Sequence, residues 1–220
     1  MIMNYIFDFD GTLMDTSGVI LSTIKATIRD MELPHKTDEE CRSIIGIRTD
    51  EAGKYLYPDL DVSNKEFARV FRENYDRLKK GAHEKAFPGV LDTLEQLRAA
   101  GYGLAVASSR RLASLNEYLD GLGIKGWFEM IVGADSVTKG KPNPEPVLKI
   151  LSELGWNGEN TLVVGDADVD IMMGNTAGCR TCAVTYGNGS LESLRESTPD
   201  YMIDNFSDIL GLNVIKKIIL

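Results

Sequence analysis

Two aspartates separated by one residue directly follow a short apolar run near the start of the chain. Residues 5–7 (Tyr-Ile-Phe) lead into Asp8 and Asp10, and Gly11 and Thr12 come next. Asp8 lies inside an apolar stretch, where an acid that serves only solubility would be out of place. In open α/β sheets ligands bind beyond the carboxyl ends of the strands, so we expect both acids at the edge of a site.

A second group of acids follows another apolar run, at residues 161–164. Asp166, Asp168 and Asp170 lie at alternate positions shortly after it. If the two runs form neighbouring parallel strands, both groups of acids converge at one end of the sheet. Carboxylates at close range cannot all ionise without a cation, and hard oxygen ligands suit Mg²⁺ shared with a substrate phosphate. Asp168 has an alternative explanation, because a helix dipole favours an acid in the first turn.

Hydroxyl and cationic side chains that suit a phosphate follow two further segments. The apolar residues 104–107 precede Ser108, Ser109 and Arg110, whose hydroxyl and backbone N–H groups can hold phosphate oxygens at a helix N-terminus. Lys141 lies in a loop that two prolines stiffen. A lysine there can offset both the clustered acids and a phosphate, although alone it would be read as a surface residue.

Short apolar runs alternate with helical patterns over most of the chain. The runs that we predict to be strands are residues 5–7, 104–107, 130–132, 161–164, 182–184 and 201–203. Nearly continuous apolar strands are typical of a parallel sheet that is covered on both faces. Leucines at helical spacing precede Gly101, Gly123 and Gly155. The alternation predicts an α/β fold with a doubly wound parallel sheet.

Residues 16–82 break this alternation, because they contain helical patterns and no convincing strand. Phe67, Val70, Phe71, Tyr75 and Leu78, for example, lie on one face of a long helix. We therefore predict an inserted α-helical cap domain at residues 16–82. Residues 1–15 and 83–220 are predicted to form the α/β core domain.

Composition and charge restrict the possible partners and the location of the protein. The 220 residues are 43% hydrophobic and 26% charged, which is typical of a globular protein. The formal net charge of −9 argues against nucleic acid or an anionic membrane as a partner. No signal peptide and no apolar stretch of about 18 residues is visible, so we predict a cytoplasmic protein. Cys41, Cys179 and Cys182 are interpreted as buried free cysteines rather than a redox pair or a zinc site.

Taken together and in this order, four motifs resemble those of the haloacid dehalogenase superfamily over essentially the whole chain. The motifs are Asp-x-Asp-Gly-Thr, a strand-end Ser, Lys-Pro-x-Pro and Gly-Asp-x-x-x-Asp, and their key residues are Asp8, Asp10, Ser108, Lys141, Asp166 and Asp170. The helical block resembles the small α-helical cap of that superfamily. The branch of phosphoglycolate phosphatase and β-phosphoglucomutase shows the strongest resemblance.

The resemblance implies a phosphatase that works in two steps. Asp8 would attack phosphorus and form an aspartyl-phosphate. Asp10 would protonate the leaving oxygen and then deprotonate the hydrolytic water. Ser108 and Lys141 would bind phosphoryl oxygens. The implied substrate is a small phosphorylated metabolite, and we expect a monomer or a weak homodimer.

The resemblance also implies a metal site and a substrate-binding set. Mg²⁺ would be held by the carboxylates of Asp8 and Asp166 and by the main-chain carbonyl of Asp10. Asp170 would orient metal-bound water or Lys141. The residues expected to contact the substrate are Gly11, Thr12, Ser109, Arg110 and Arg48. For Arg48, an exposed arginine at a helix turn is an equally good interpretation.

Three alternatives to a phosphomonoester hydrolase remain at this point. The first is a β-phosphoglucomutase-like phosphotransferase, although that enzyme carries a His five residues after the last Asp of its first motif, where this chain has Ile20. The second is a pyrophosphatase. The third is a binding module without activity, in which an intact nucleophile, acid, lysine and metal site would have no purpose.

Overall fold

A computed structural model describes residues 1–81 and 84–212 of the chain as strands alternating with helices. The strands are β1 (Asn4–Phe7), β2 (Met14–Asp15), β3 (Lys85–Ala86), β4 (Gly103–Ala107), β5 (Met130–Val132), β6 (Thr161–Gly165), β7 (Arg180–Val184) and β8 (Tyr201–Ile203). The α-helices are α1 (Ser17–Asp30), α2 (Asp38–Arg42), α3 (Thr49–Leu56), α4 (Asn64–Leu78), α5 (Val90–Ala99), α6 (Leu112–Gly121), α7 (Glu145–Leu154), α8 (Asp168–Thr176) and α9 (Leu191–Glu196).

Six of the strands form one parallel sheet in the order β5-β4-β1-β6-β7-β8. Every apolar run that the sequence predicts to be a strand lies in this sheet. The order places β1 in the interior, with β4 on one side and β6 on the other. The predicted α/β fold is therefore confirmed, and the three strands that precede the candidate site residues are direct neighbours.

Helices cover both faces of the sheet because successive strand residues point to opposite sides. Tyr5 of β1 packs in a buried cluster with Leu94 of α5 and Leu115 of α6. Ile6, the next residue, packs in a different cluster with Ile150 of α7. Burial on both faces explains why these strands read as continuous apolar runs rather than alternating ones.

The helices α1 to α4 form an insertion that leaves the sheet after β1 and returns before α5. The short antiparallel pair of β2 and β3 brackets it, with Met14 opposite Ala86 and Asp15 opposite Lys85. We call residues 16–81 the helical insert. It has a buried cluster of its own, formed by Val19, Ile20, Leu21, Ile24, Ile28, Cys41, Ile44, Ile45, Ala52, Leu56, Tyr57, Phe67 and Tyr75. The predicted domain boundary between residues 82 and 83 lies outside the described residues, as does the end of the predicted core domain at 213–220.

Two further sequence expectations concern helices and cysteines. Within residues 1–81 and 84–212, each helix is too short or too polar to cross a lipid bilayer. Cys41, Cys179 and Cys182 are buried free thiols, as interpreted from the sequence.

Two leucines of α5 test the packing of this helix on the sheet. Leu94 is 0% exposed and Leu91 is 37% exposed. We expect Leu94→Ala to lower the free energy of unfolding by about 2–5 kcal/mol, because it removes buried methyl groups and leaves a cavity. Leu91→Ala makes the same chemical change at the surface and should alter stability by about 0.5 kcal/mol or less. Urea denaturation measures both, and equal losses would contradict this orientation of α5.

Candidate active site

The carboxyl ends of β1, β4 and β6 meet at one edge of the sheet. Phe7 of β1 lies opposite Val164 of β6, and the backbone N–H of Asp8 donates to the carbonyl of Val164 at 2.9 Å. Asp166 directly follows β6, and Ser108 directly follows β4. The parallel register thus brings together residues from three of the four sequence motifs.

Three carboxylates and one ammonium group form a buried cluster at this edge. Oxygen atoms of Asp8, Asp166 and Asp170 all lie within 4.8 Å of one another. Lys141 Nζ lies 2.5 Å from Asp8 Oδ1 and 2.5 Å from Asp170 Oδ1. The side chains of Lys141 and Asp170 are each 2% exposed. Sequence reasoning predicted this convergence, and the fourth motif joins the other three through Lys141.

Burial and mutual repulsion shift the pKa values of these groups. Burial, followed by repulsion from Asp170, raises the pKa of Asp166 to about 7. Burial also raises the pKa of Asp8, against the opposing effect of Lys141. Although burial alone would lower the pKa of Lys141, the carboxylates of Asp170 and Asp8 raise it above its ordinary value. Lys141 therefore carries a positive charge, and three carboxyl groups lie around this one cation.

Asp166 is oriented by donors on both of its oxygens. Asn188 donates to Oδ2 from its backbone N–H at 2.7 Å and from Nδ2 at 3.2 Å. Thr12 Oγ1 donates to Oδ1 at 3.0 Å. Gly11 has a φ of +88°, and a Cβ there would collide with the Asp166 carboxylate. Gly11 and Thr12, expected from the sequence to contact substrate, are thus in contact with a candidate metal ligand.

Sequence reasoning did not identify Asn188. It lies between Gly187 and Gly189 in the loop after β7, and a Cβ on either glycine would collide with Asp166. A Gly-Asn-Gly run after a predicted strand is a readable turn signal. It does not indicate which acid the asparagine contacts.

The loop that carries Lys141 is held by the first residue of α7. The carboxylate of Glu145 accepts the backbone N–H groups of Thr138 at 2.7 Å and Lys139 at 2.8 Å. These hydrogen bonds hold the backbone just before Lys141. They help to position the Lys141 side chain next to the buried acids.

Arg48 of the helical insert packs on this same loop rather than in the cavity described below. Its Nη1 donates to the carbonyl of Thr138 at 3.2 Å, and its Nε and Nη2 donate to Asp50 at 3.0 and 2.9 Å. A Cβ on Gly140 would collide with the Arg48 side chain. The expected contact of Arg48 with a substrate stays a prediction, and the observed contacts are with protein.

Asp10 lies beside the cluster and is held by two donors. Thr16 Oγ1 donates to its Oδ1 at 2.6 Å. Arg110 donates to both of its oxygens, from Nη2 to Oδ1 at 2.5 Å and from Nε to Oδ2 at 3.0 Å. Arg110 was expected to bind substrate, but its guanidinium group forms a bidentate ion pair with a carboxylate of the protein.

The two serines after β4 have different partners. Ser108 is buried, and its Oγ accepts the backbone N–H of Arg110 at 3.2 Å. Ser109 Oγ donates to the carbonyl of Gly46 at 2.6 Å, which joins the sheet edge to the helical insert.

A cavity of about 420 Å³ lies between the sheet edge and the helical insert. Asp8, Asp10, Ser108, Ser109 and Arg110 line it from the sheet side. Residues of the insert that face the same cavity include Ile20, Ile44, Ile45, Ile47, Phe71 and Tyr75. Two carboxylates and two hydroxyl groups of the predicted site therefore share one cavity with a guanidinium group.

Such an arrangement suits chemistry on an anionic group. Asp8 offers an oxygen nucleophile beside an ammonium group, and Asp10 offers a second carboxylate for proton transfer. The cluster offers oxygen ligands for a hard divalent cation.

Comparison with known proteins agrees with this geometry. The family model described as haloacid dehalogenase-like hydrolase matches residues 5–184. A protein of Dickeya dadantii named Probable phosphatase IndB is 34% identical over 212 residues, which cover 94% of this chain and 91% of that protein. A phosphoglycolate phosphatase of Aquifex aeolicus is 33% identical over 207 residues, which cover 94% of both chains.

A solved structure shows the same fold over nearly the full length. The crystal structure described as a predicted phosphoglycolate phosphatase from Haemophilus somnus superposes with a TM-score of 0.85 and 28% sequence identity, and the match covers 96% of this chain and 98% of that one. The chain belongs to the haloacid dehalogenase-like hydrolases, in the branch of its phosphoglycolate phosphatase relatives.

Proposed function

We propose that the protein is a Mg²⁺-dependent phosphatase that hydrolyses a phosphomonoester of a small metabolite through an aspartyl-phosphate on Asp8. The observation that carries this proposal is the buried contact of Asp8 with Lys141, beside Asp166 and Asp170, with Asp8 lining a cavity. Relatives named as phosphatases support the reaction class. The assignment of each residue rests on the geometry.

Asp8 is the proposed nucleophile because its carboxylate lies in the cavity and is held in place. Lys141 contacts Oδ1, so that oxygen is oriented and Oδ2 is the atom left to attack phosphorus. Attack forms an acyl-phosphate bond and breaks the bond from phosphorus to the leaving oxygen. Lys141 and Ser108 would then contact phosphoryl oxygens, where positioning and electrostatics provide most of the catalysis.

Asp10 is the proposed acid/base. It lines the same cavity as Asp8 and would give a proton to the leaving oxygen in the first step. In the second step it would take a proton from the water that attacks the aspartyl-phosphate. The helical insert closes the opposite side of the cavity and limits the access of bulk water.

The donor set fits Mg²⁺. Three buried carboxylates lie around one ammonium group. Burial, and after it repulsion between the carboxylates, raises the pKa values of Asp8 and Asp166, and a bound divalent cation would offset both effects. Asp8 and Asp166 would hold the ion together with the main-chain carbonyl of Asp10, and Asp170 would orient Lys141. When bound, the ion supplies a Lewis acid that neutralises charge on the transferring phosphoryl group.

The identity of the phosphorylated metabolite is a matter for experiment. Relatives are named phosphoglycolate phosphatase and Pyrophosphatase PpaX, so both substrates belong in a screen. Ile20 lines the cavity at the sequence position where the mutase alternative requires a histidine. An isoleucine side chain cannot transfer a proton. A monomeric or weakly dimeric state and a cytoplasmic location stay predictions.

Replacing Asp8 tests the nucleophile. We expect Asp8→Asn to lower phosphate release to background with Mg²⁺ present, because the amide keeps the shape but is a poor nucleophile. The panel contains sugar phosphates, phosphoglycolate, nucleotides and pyrophosphate. Asp168→Asn is the matched control, since Asp168 lies at the same edge outside the cluster and accepts the backbone N–H of Val169; it should keep most of the activity. Equal rates for wild type and Asp8→Asn would refute the proposal, and an isomerised sugar phosphate without free phosphate would indicate a mutase.

Asn188 tests the metal site without removing a ligand. Asn188→Ala removes the side-chain donor to Asp166 Oδ2, so we expect the Mg²⁺ concentration for half-maximal activity to rise about 10–100-fold. The rate at saturating Mg²⁺ should be largely retained, and chelation should abolish activity in both proteins. Asn205→Ala is the control, because Asn205 contacts Asp208 instead. An unchanged Mg²⁺ dependence in Asn188→Ala would contradict the proposed role of Asp166.

A further inference from the structure

We infer that Arg110 is a positioning residue that couples the acid/base Asp10 to the helical insert through the hydroxyl of Tyr75. The inference rests on the proposed function and adds a residue to it. It assigns Arg110 a role different from the substrate binding that the sequence predicted.

The hydrogen bonds of Arg110 are almost fully used within the protein. Nε and Nη2 donate to the two oxygens of Asp10, while Nη1 donates to Tyr75 at 2.6 Å and to Ser114 at 3.1 Å. A guanidinium group has five N–H donors, so only one is left for a ligand. The Arg110 side chain is 8% exposed. This arrangement is more consistent with a residue that orients another side chain than with a residue that binds a phosphate.

Aromatic rings hold the guanidinium group in place. Its central carbon lies 5.7 Å from the ring centre of Phe9, 5.0 Å from that of Tyr75 and 4.8 Å from that of Tyr118. Cation–π contacts at these distances are favourable and strengthen when water is excluded. The guanidinium group that binds Asp10 is therefore held by packing against aromatic rings as well as by hydrogen bonds.

Tyr75 brings the helical insert into this network. It lies on α4, and its hydroxyl contacts both Arg110 Nη1 and the hydroxyl of Tyr118 on α6, the latter at 2.6 Å. Thr16, at the start of the insert, donates to Asp10 Oδ1. The insert thus reaches the carboxylate of Asp10 at two points, directly through Thr16 and through Arg110 from α4.

As a consequence, the position of α4 relative to Arg110 determines the orientation of the Asp10 carboxylate. A carboxylate has about four acceptor positions, and Asp10 uses three of them, so one position remains for the leaving oxygen or the hydrolytic water. Catalytic side chains must be held within about 0.5 Å of the productive geometry. A shift of α4 that breaks the Tyr75–Arg110 contact loosens the Asp10 side chain without touching the side chains of Asp8 or Asp166.

Leaving groups of different basicity distinguish this role from a merely structural one. An alkyl phosphate needs its leaving oxygen protonated, whereas p-nitrophenyl phosphate expels a stable anion and depends little on the acid. Because kcat/KM reports steps up to formation of the aspartyl-phosphate, its ratio between n-propyl phosphate and p-nitrophenyl phosphate measures how well Asp10 acts as an acid.

We expect Arg110→Met to lower kcat/KM for n-propyl phosphate about 100-fold more than for p-nitrophenyl phosphate, the lower end of a general-acid contribution. Tyr75→Phe removes one hydroxyl and should give a differential loss of about fivefold, equivalent to one hydrogen bond. Tyr57→Phe is the matched control, because it removes a buried hydroxyl of the same insert that donates to Pro34. It should affect both substrates equally.

Each outcome decides the matter. Equal losses on the two substrates in either Arg110→Met or Tyr75→Phe would overturn the inference. A rise in KM for both substrates and weaker inhibition by inorganic phosphate in Arg110→Met would instead support direct substrate binding. If Arg110→Met does not fold, as thermal unfolding would reveal, Tyr75→Phe carries the test alone. Failure of the wild type to release phosphate from these two esters and from every member of the metabolite panel would refute the proposed function itself.

Discussion

The buried contact of Lys141 with the carboxylates of Asp8 and Asp170 is the interaction on which the rest of the site depends. Side chains of these three residues are at most 6% exposed, and transfer of each charge out of water costs several kcal/mol. The attraction between them offsets that cost only if the geometry is tightly held. The sheet holds Asp8 through the hydrogen bond from its backbone N–H to Val164 of β6, and Glu145 of α7 holds the loop of Lys141. The fold therefore serves the site by keeping these charged groups within contact distance.

The cavity lies between two separately packed units, and polar contacts join them. The sheet and the helical insert each have their own apolar cluster. Hydrogen bonds and ion pairs connect them, including Ser109 to Gly46, Arg48 to Thr138 and Lys79 to Glu117. Interfaces of this kind permit relative motion of the two parts. The proposed nucleophile lies on one unit and part of the cavity wall on the other. The geometry of the site therefore depends on the relative position of the two units.

The sequence predicted the sheet and the convergence of acids because both follow from local patterns and one topological rule. Apolar runs located the strands, and parallel strands place their carboxyl ends at one edge. Sequence reasoning did not locate the short elements individually. The capping box of Thr37 and Glu40 nevertheless indicates the start of α2. The contacts of Arg110 with Asp10, of Arg48 with Thr138 and of Asn188 with Asp166 were not predictable, since only the tertiary fold brings these residues together. Arg110 and Asp10, for example, are 100 positions apart.

The acidic net charge and an anionic substrate are compatible because electrostatics at a buried site are local. Salt screens exposed charges beyond about 10 Å, so the overall charge of −9 has little influence on a phosphate inside the cavity. Within the site, Lys141 already balances carboxylates and Arg110 already pairs with Asp10. Each of these two cations thus shares its positive charge with carboxylates of the protein. In the proposed function, a divalent cation held by the acidic cluster would supply the additional positive charge for a phosphoryl group. This is the physical reason for proposing the acidic cluster and a phosphorylated substrate together.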